Sequence, residues 1–241
     1  MKNVILIGAG GIGRRHIKAY LATTRANISI VEPDNDKVSC IKNDFKILKA
    51  FNKIGDVQLS DFDLALICSP ANFHVDQMKL CALNKLSFMV EKPLSTSMEG
   101  VDEVITLVKK NNLFARVGYT RRNSEHHRSL KEKILNNKIG DVKLIYINSS
   151  QEFPKYRPDY QKIYYAHSHM GGGAILDAAT HLIDQLIWII GKPSEVSCMF
   201  DRLVLEGKEC ELATLEEAKL KLEVVFAAKK SWQEKKIIKI N

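Results

Sequence analysis

The first two-thirds of the chain alternates short apolar runs with amphipathic stretches, the pattern of parallel strands joined by helical crossovers. Strands are predicted at Val4–Gly8, Ile28–Glu32, Leu64–Ser69, Ser87–Val90 and Phe114–Gly118. Helical periodicity falls between them, at about 12–21, 34–43, 74–84 and 96–111. The last of these opens Thr96-Ser97-Met98-Glu99, a hydroxyl cap before an acidic turn, and continues with Val101, Val104, Ile105 and Val108 on one face. Beyond Gly118 the character changes. A charged helix is predicted over 125–137, a half-exposed alternating strand over 141–149, and an apolar helix over 174–190 after Gly171-Gly172-Gly173. Strand-like runs at 194–205 and 219–226 follow. The expectation is an α/β protein: a parallel-sheet domain over 1–118, and over 119–241 an α+β domain of mainly antiparallel sheet.

Composition changes this picture little. The chain has 241 residues, 45% hydrophobic and 27% charged, ordinary values for a globular protein. No apolar run reaches membrane-spanning length, and the opening run Val4-Ile5-Leu6-Ile7-Gly8 is too short for a signal peptide. A cytoplasmic protein without a membrane partner is expected. Five scattered cysteines show no C-x-x-C and read as buried reduced thiols. The net charge of +8 raises nucleic acid as a partner, but the basic residues are dispersed and aromatics do not interleave with them. Nucleic acid is not expected.

Gly8-Ala9-Gly10-Gly11-Ile12-Gly13 is a G-x-G-x-x-G between the first strand and the first helix. The first glycine permits a tight turn, the second a close approach of pyrophosphate to the backbone, the third close packing of helix on strand. The phosphates would rest on the unpaired amides of the helix N-terminus. Glu32, nineteen residues past Gly13, ends the second strand, where a carboxylate accepts from ribose hydroxyls and repels a 2′-phosphate. That favours NAD over NADP, while Arg14 and Arg15 in the same turn argue the other way.

Three further motifs follow in order: Cys68-Ser69-Pro70-Ala71-Asn72-Phe73-His74, Glu91-Lys92-Pro93, and Gly171-Gly172-Gly173-Ala174-Ile175-Leu176-Asp177-Ala178-Ala179-Thr180-His181. With the glycine turn, they resemble the glucose–fructose oxidoreductase and inositol dehydrogenase family over about residues 1–200. The stretch Tyr156-Arg157-Pro158-Asp159-Tyr160 looks most like members acting on nucleotide sugars of bacterial surface polysaccharides. Ligands of open parallel sheets bind beyond the carboxyl ends of strands, where Ser69 to His74 and Glu91 to Pro93 fall. Ser69, Asn72, His74, Glu91 and Lys92 are therefore expected at the cofactor, and His74 reads equally as a helix-start residue.

The resemblance implies a reaction centre of Lys92, Asp177 and His181 and a hydride transfer between nicotinamide and a secondary alcohol of a sugar, nucleotide sugar or cyclitol. Asp177 and His181, four apart, would share one helix face, the carboxylate steadying the imidazole. Asp177, Lys92, Arg122 and Tyr160 are the expected substrate contacts. Arg122 stands where the family has an arginine, although Asn123 and Glu125 depart from what usually follows it. Ala179 likewise replaces a glycine of the family's pattern. His167-Ser168-His169 raises a metal, but no firm third ligand accompanies it and none is expected. Family members continue with further strands, so the second sheet, the expected homo-oligomer contact, reads as incomplete and the chain as truncated. That opens a second reading: a non-catalytic dinucleotide- or sugar-binding protein on the same scaffold.

Overall fold

A computed structural model describes residues 1–149, 152–173, 175–194 and Glu234. The chain divides into two units, Met1–Lys192 and Pro193–Asn241. Everything below concerns the first. Six parallel strands form its sheet: β1 Lys2–Ile7, β2 Ala26–Val31, β3 Ala50–Phe51, β4 Leu64–Ile67, β5 Phe88–Val90 and β6 Ala115–Val117. Their spatial order is β3-β2-β1-β4-β5-β6. The chain works outward from β1 to β3, then restarts on the other side of β1 with β4. The carboxyl ends of β1 and β4 flank that reversal, the position where open α/β sheets bind ligands.

Period-two alternation explains the two cores. Ile5 and Ile7 of β1 join Ala65, Ile67, Phe88 and Val90 on one face of the sheet, packed by Met78, Cys81 and Val104. Val4 and Leu6 join Ile28, Ile30 and Leu66 on the other, packed by Ile17 and Ile41. Helices α1 (Gly11–Ala22) and α2 (Asn35–Asp44) supply the second set, and α3 (His74–Leu83) and α4 (Val101–Lys110) the first. A sheet covered on both faces needs continuous apolar strands, which is why β1 and β2 are buried over four consecutive residues.

All five predicted strands are present and parallel, each shifted by a few residues at most. The sixth, β3, contributes only two register pairs, Ile30 with Ala50 and Val31 with Phe51. Two residues carry no periodicity to read. Helix α4 starts five residues later than its expected cap. Gly100, at φ +71°, precedes Val101, and the hydroxyls of Ser95 and Ser97 accept from the amides of Ser97 and Glu99. Those local bonds hold 95–99 in turns instead of helix.

Helix α5 (Glu125–Leu135) forms as predicted, and a single turn, α6 (Phe153–Tyr156), follows further on. The strand expected over 141–149 does not form: this backbone is irregular and exposed, Leu144 being 85% and Tyr146 82% accessible. Alternation alone makes no strand without a neighbour to complete its hydrogen bonds, and the described residues supply none. The runs at 194–205 and 219–226 lie, from residue 195 on, outside the described residues, as do Cys198 and Cys210. Cys68 and Cys81 are buried free thiols, whereas Cys40 is exposed. Burial pushes the Cys81 thiol up to about 12. Among the described residues no helix is long and apolar enough to cross a membrane.

Phe88 is the largest fully buried side chain among the described residues and lies on the interior strand β5 beside β4. Phe88→Ala is expected to destabilise the fold by about 3–5 kcal/mol through lost burial and an unfilled cavity. Urea denaturation followed by circular dichroism measures this, and a loss below about 1 kcal/mol would mean that the core collapses around the gap.

Candidate active site

The glycine turn follows β1 and opens α1. Only the absence of a Cβ lets α1 begin so close to β1, since one at Gly13 would overlap the Gly8 carbonyl oxygen. At Gly10 and Gly11, by contrast, an added carbon meets nothing within 4 Å. Gly10 caps α1 with no side-chain hydrogen bond, and no acidic residue occupies the first turn. These unpaired amides facing open space suit the pyrophosphate of a dinucleotide. Beside them Glu32 is buried, its carboxylate accepting from the amides of Ala9 (2.8 Å) and Asp34 (3.2 Å). Arg14, the candidate for a 2′-phosphate, is instead ion-paired with Asp44 and lies over the Phe45 ring. Ile12, Arg15 and Asn72 are exposed.

The turns after β4 and β5 adjoin this one. The Ser69 hydroxyl donates to Gln77 Oε1 at 2.6 Å. His74 is 1% exposed, with Nδ1 2.9 Å from the Pro93 carbonyl oxygen and Nε2 2.9 Å from that of Ser69. Burial pushes its imidazole below the usual range. Both ring nitrogens therefore face main-chain carbonyls, and the neutral ring, with a single N–H, donates to one of the two according to its tautomer. Glu91 receives a hydrogen bond from His16 of α1 (2.7 Å).

Lys92 reaches 85 residues along the chain. Its ammonium donates to Asp177 Oδ1 at 2.5 Å and to the Asp177 carbonyl at 3.1 Å, and both side chains are largely buried. Tyr164 donates its hydroxyl to the same Oδ1 at 3.3 Å. Burial raises the Tyr164 pKa, so it remains a donor near neutral pH. Gly172 makes this approach feasible. A Cβ there would overlap the Tyr164 carbonyl oxygen and lie 2.6 Å from that of Tyr165, so the glycine run packs directly on the backbone that carries Tyr164.

The helix holding Asp177 and His181 is not a continuous α-helix. Ile175–Ala179 forms a π turn, and α7 begins at Thr180 and runs to Ile190. Asp177 serves Lys92 and Tyr164, while His181 Nδ1 is buried and finds no hydrogen-bond partner among the described residues. The expected bond steadying the imidazole is thus replaced by ring packing, the Tyr119 ring lying edge-on at 6.0 Å. Tyr119 also bonds the Thr180 hydroxyl (2.9 Å). Burial, and next the charges of Lys92 and Arg121, hold the His181 imidazole below its ordinary value, so it is neutral near pH 7.

Of the other expected substrate contacts, Arg122 makes a fork of bonds to the buried carboxylate of Asp184 on α7, including Nε to Oδ2 at 2.9 Å. Tyr160 packs edge-on against Phe153 at 5.7 Å. His167 and His169 lie with ring centroids 5.6 Å apart, and among the described residues no three His, Cys, Asp or Glu groups gather as a metal set. Sequence reasoning missed His16, Tyr119 and Tyr164. Tyr164 sits in a loop with several tyrosines, where no periodicity distinguishes one from another.

A parallel sheet of this order, with a glycine turn at its reversal and an amine, a carboxylate and an imidazole beside it, defines a dinucleotide-binding oxidoreductase scaffold. Residues 2–119 match the profile described as oxidoreductase family, NAD-binding Rossmann fold, and residues 127–226 match the GFO/IDH/MocA C-terminal domain. The chain belongs to the GFO/IDH/MocA oxidoreductase family. It is 28% identical over 192 residues to myo-inositol 2-dehydrogenase of Thermotoga maritima, covering 79% of this chain and 55% of that protein. It is 27% identical over 202 residues to the oxidoreductase YrbE of Bacillus subtilis, covering 80% and 54%. The chain spans about half the length of the curated relatives it matches. Its fold matches scyllo-inositol dehydrogenase from Lactobacillus casei with bound NAD(H) and scyllo-inositol at a TM-score of 0.68 and 23% identity, over 79% of this chain and 56% of that one. It matches the WlbA dehydrogenase from Bordetella pertussis, in complex with NADH and UDP-GlcNAcA, at 0.67 and 20%, over 79% and 55%.

The buried His74 and the half-buried His181 give a pH dependence with a definite sign. Each binds its proton less readily folded than unfolded, so stability is full above the ordinary imidazole pKa of about 6.5 and declines as pH falls below it. The urea midpoint is expected to be lower at about pH 5.5 than at about pH 7.5, with a shallower difference in His74→Gln. An equal or higher midpoint at the lower pH would contradict the folded state holding both rings as neutral groups.

Proposed function

We propose that this chain carries the cofactor seat and reaction centre of an NAD-dependent dehydrogenase acting on a secondary alcohol of a sugar, nucleotide sugar or cyclitol. The observation that carries this reading is the Lys92–Asp177 pair at 2.5 Å with a neutral His181 beside it, at the end of a strand adjoining the glycine turn. The buried Glu32 and the Arg14–Asp44 pair support NAD over NADP. The two profile matches, ending at 119 and starting at 127, support a division near 118 into a cofactor half and a substrate half.

The nicotinamide ring, when bound, supplies the hydride acceptor. This chain's residues handle the proton and the developing charge. His181 is deprotonated at working pH and takes the hydroxyl proton as the carbon loses hydride. The Lys92 ammonium, directed by Asp177, donates to the oxygen on which negative charge grows. Tyr164 and Lys92 both engage Asp177 Oδ1, leaving Oδ2 as the acceptor for a neighbouring substrate hydroxyl. In the reverse direction the same groups return the proton to a ketone. Arg122 is committed to Asp184 and Tyr160 to Phe153, which supports bracing roles for both over direct substrate contact.

The test is NADH formation by the purified protein across inositols, free sugars and nucleotide sugars. Lys92→Ala and His181→Ala are each expected to lower kcat/KM by about 10²–10⁴-fold with NADH binding retained. Turnover preserved in both variants would remove the proposed centre. NADH binding without turnover on any member of the panel would favour a non-catalytic binding protein.

A further inference from the structure

The residues on either side of Lys92 are each held by a histidine from a different helix. Before it, Glu91 Oε1 accepts from His16 Nε2 at 2.7 Å, and Glu91 Oε2 accepts from the Lys92 amide at 3.3 Å. After it, the Pro93 carbonyl lies 2.9 Å from His74 Nδ1. The carboxylate of Glu91 also rests on Gly118, where an added Cβ would come within 3.1 Å of it. His16 rides on α1, which opens at the glycine turn, and His74 opens α3 and also touches the Ser69 carbonyl. Two imidazoles thus link all three turns of the site.

We propose that His16 and His74 are positioning residues that clamp the Glu91–Lys92–Pro93 turn and so hold the Lys92 ammonium on Asp177. The reason lies in cost. The His16 and Glu91 side chains are 17% and 10% exposed, and removing an imidazole and a carboxylate from water is unfavourable unless their geometry is well matched. Two apolar side chains would fill the same space without that penalty, but they would not fix the direction of a carboxylate that also receives the Lys92 amide. Lysine needs such a base because its four-carbon stem is flexible and its ammonium has no preferred plane. The proposal takes its significance from the role assigned to Lys92 above, yet it concerns only where that amine sits.

Competitive acetylation with trace acetic anhydride, read by mass spectrometry on the full chain, tests it without any substrate. Lys143, 81% exposed, serves as the internal reference. In the native chain Lys92 is expected to label slowly against Lys143. His16→Ala and His74→Ala should each raise the Lys92 to Lys143 ratio about fivefold, the release expected from one lost buried hydrogen bond. His16→Asn, which keeps a donor for Glu91, should restore most of the native ratio. Gly118→Ala, whose methyl lands against Glu91, should raise it with both histidines in place, covering the case that His74→Ala does not fold. A merely structural role would lower the urea midpoint and leave the ratio of the folded variants unchanged. That result in His16→Ala and Gly118→Ala would overturn the clamp, whatever the sugar panel shows.

Discussion

The ammonium of Lys92 and the carboxylate of Asp177 meet at 2.5 Å from positions 85 residues apart, and most of what surrounds them makes that meeting tolerable. Neither group is comfortable away from water. A buried pair is weak support for a fold, because desolvation offsets much of the attraction, but breaking one partner leaves a stranded charge. The surrounding structure answers with extra bonds: the Asp177 carbonyl takes a second hydrogen bond from the ammonium, and Tyr164 donates to the carboxylate. The glycine run at 171–173 packs against the Tyr164 backbone, and Pro93 lies under Gly171. Two distant motifs become one site where Gly171 leaves room for Pro93 and Lys92 reaches Asp177.

The parallel sheet serves this arrangement by ending its strands together. β1, β4 and β5 deliver Gly8, Ser69 and Glu91 to one rim, and His16 on Glu91 and His74 on Pro93 tie the turn after β5 to α1 and α3. The proposed cofactor seat and the proposed reaction centre share this framework. Glu32 braces the glycine turn, and Arg14 is occupied by Asp44 and Phe45.

Much of this was legible beforehand, for identifiable reasons. Buried parallel strands announce themselves as apolar runs, and Val4 to Ile7 and Leu64 to Ile67 stand where expected. Lys92, Asp177 and His181 were visible because motifs carry residue identity. What was not visible was pairing. Spacing of four placed Asp177 under His181, but the π turn changes the phase between them, and the carboxylate turns to Lys92 instead. Thr96 and Ser97 looked like a helix cap, but the helix starts only after Gly100, which takes the left-handed backbone. Alternation at 141–149 gave the pattern of a strand, and the described residues hold no neighbour to complete one. Tyr164 and His16 were hidden because a loop tyrosine and a helix histidine carry no periodic mark.

The π turn at Ile175–Ala179 has an evolutionary corollary. Such a turn corresponds to one residue more than regular helix needs, and π bulges recur at functional sites. Deleting a single residue there would rotate everything upstream by about 100° relative to α7. Asp177 would then be re-aimed against His181 with both side chains chemically intact. In a lineage built on this scaffold, insertions and deletions within that turn are a route to altered reactivity that comparison of residue identities alone would overlook.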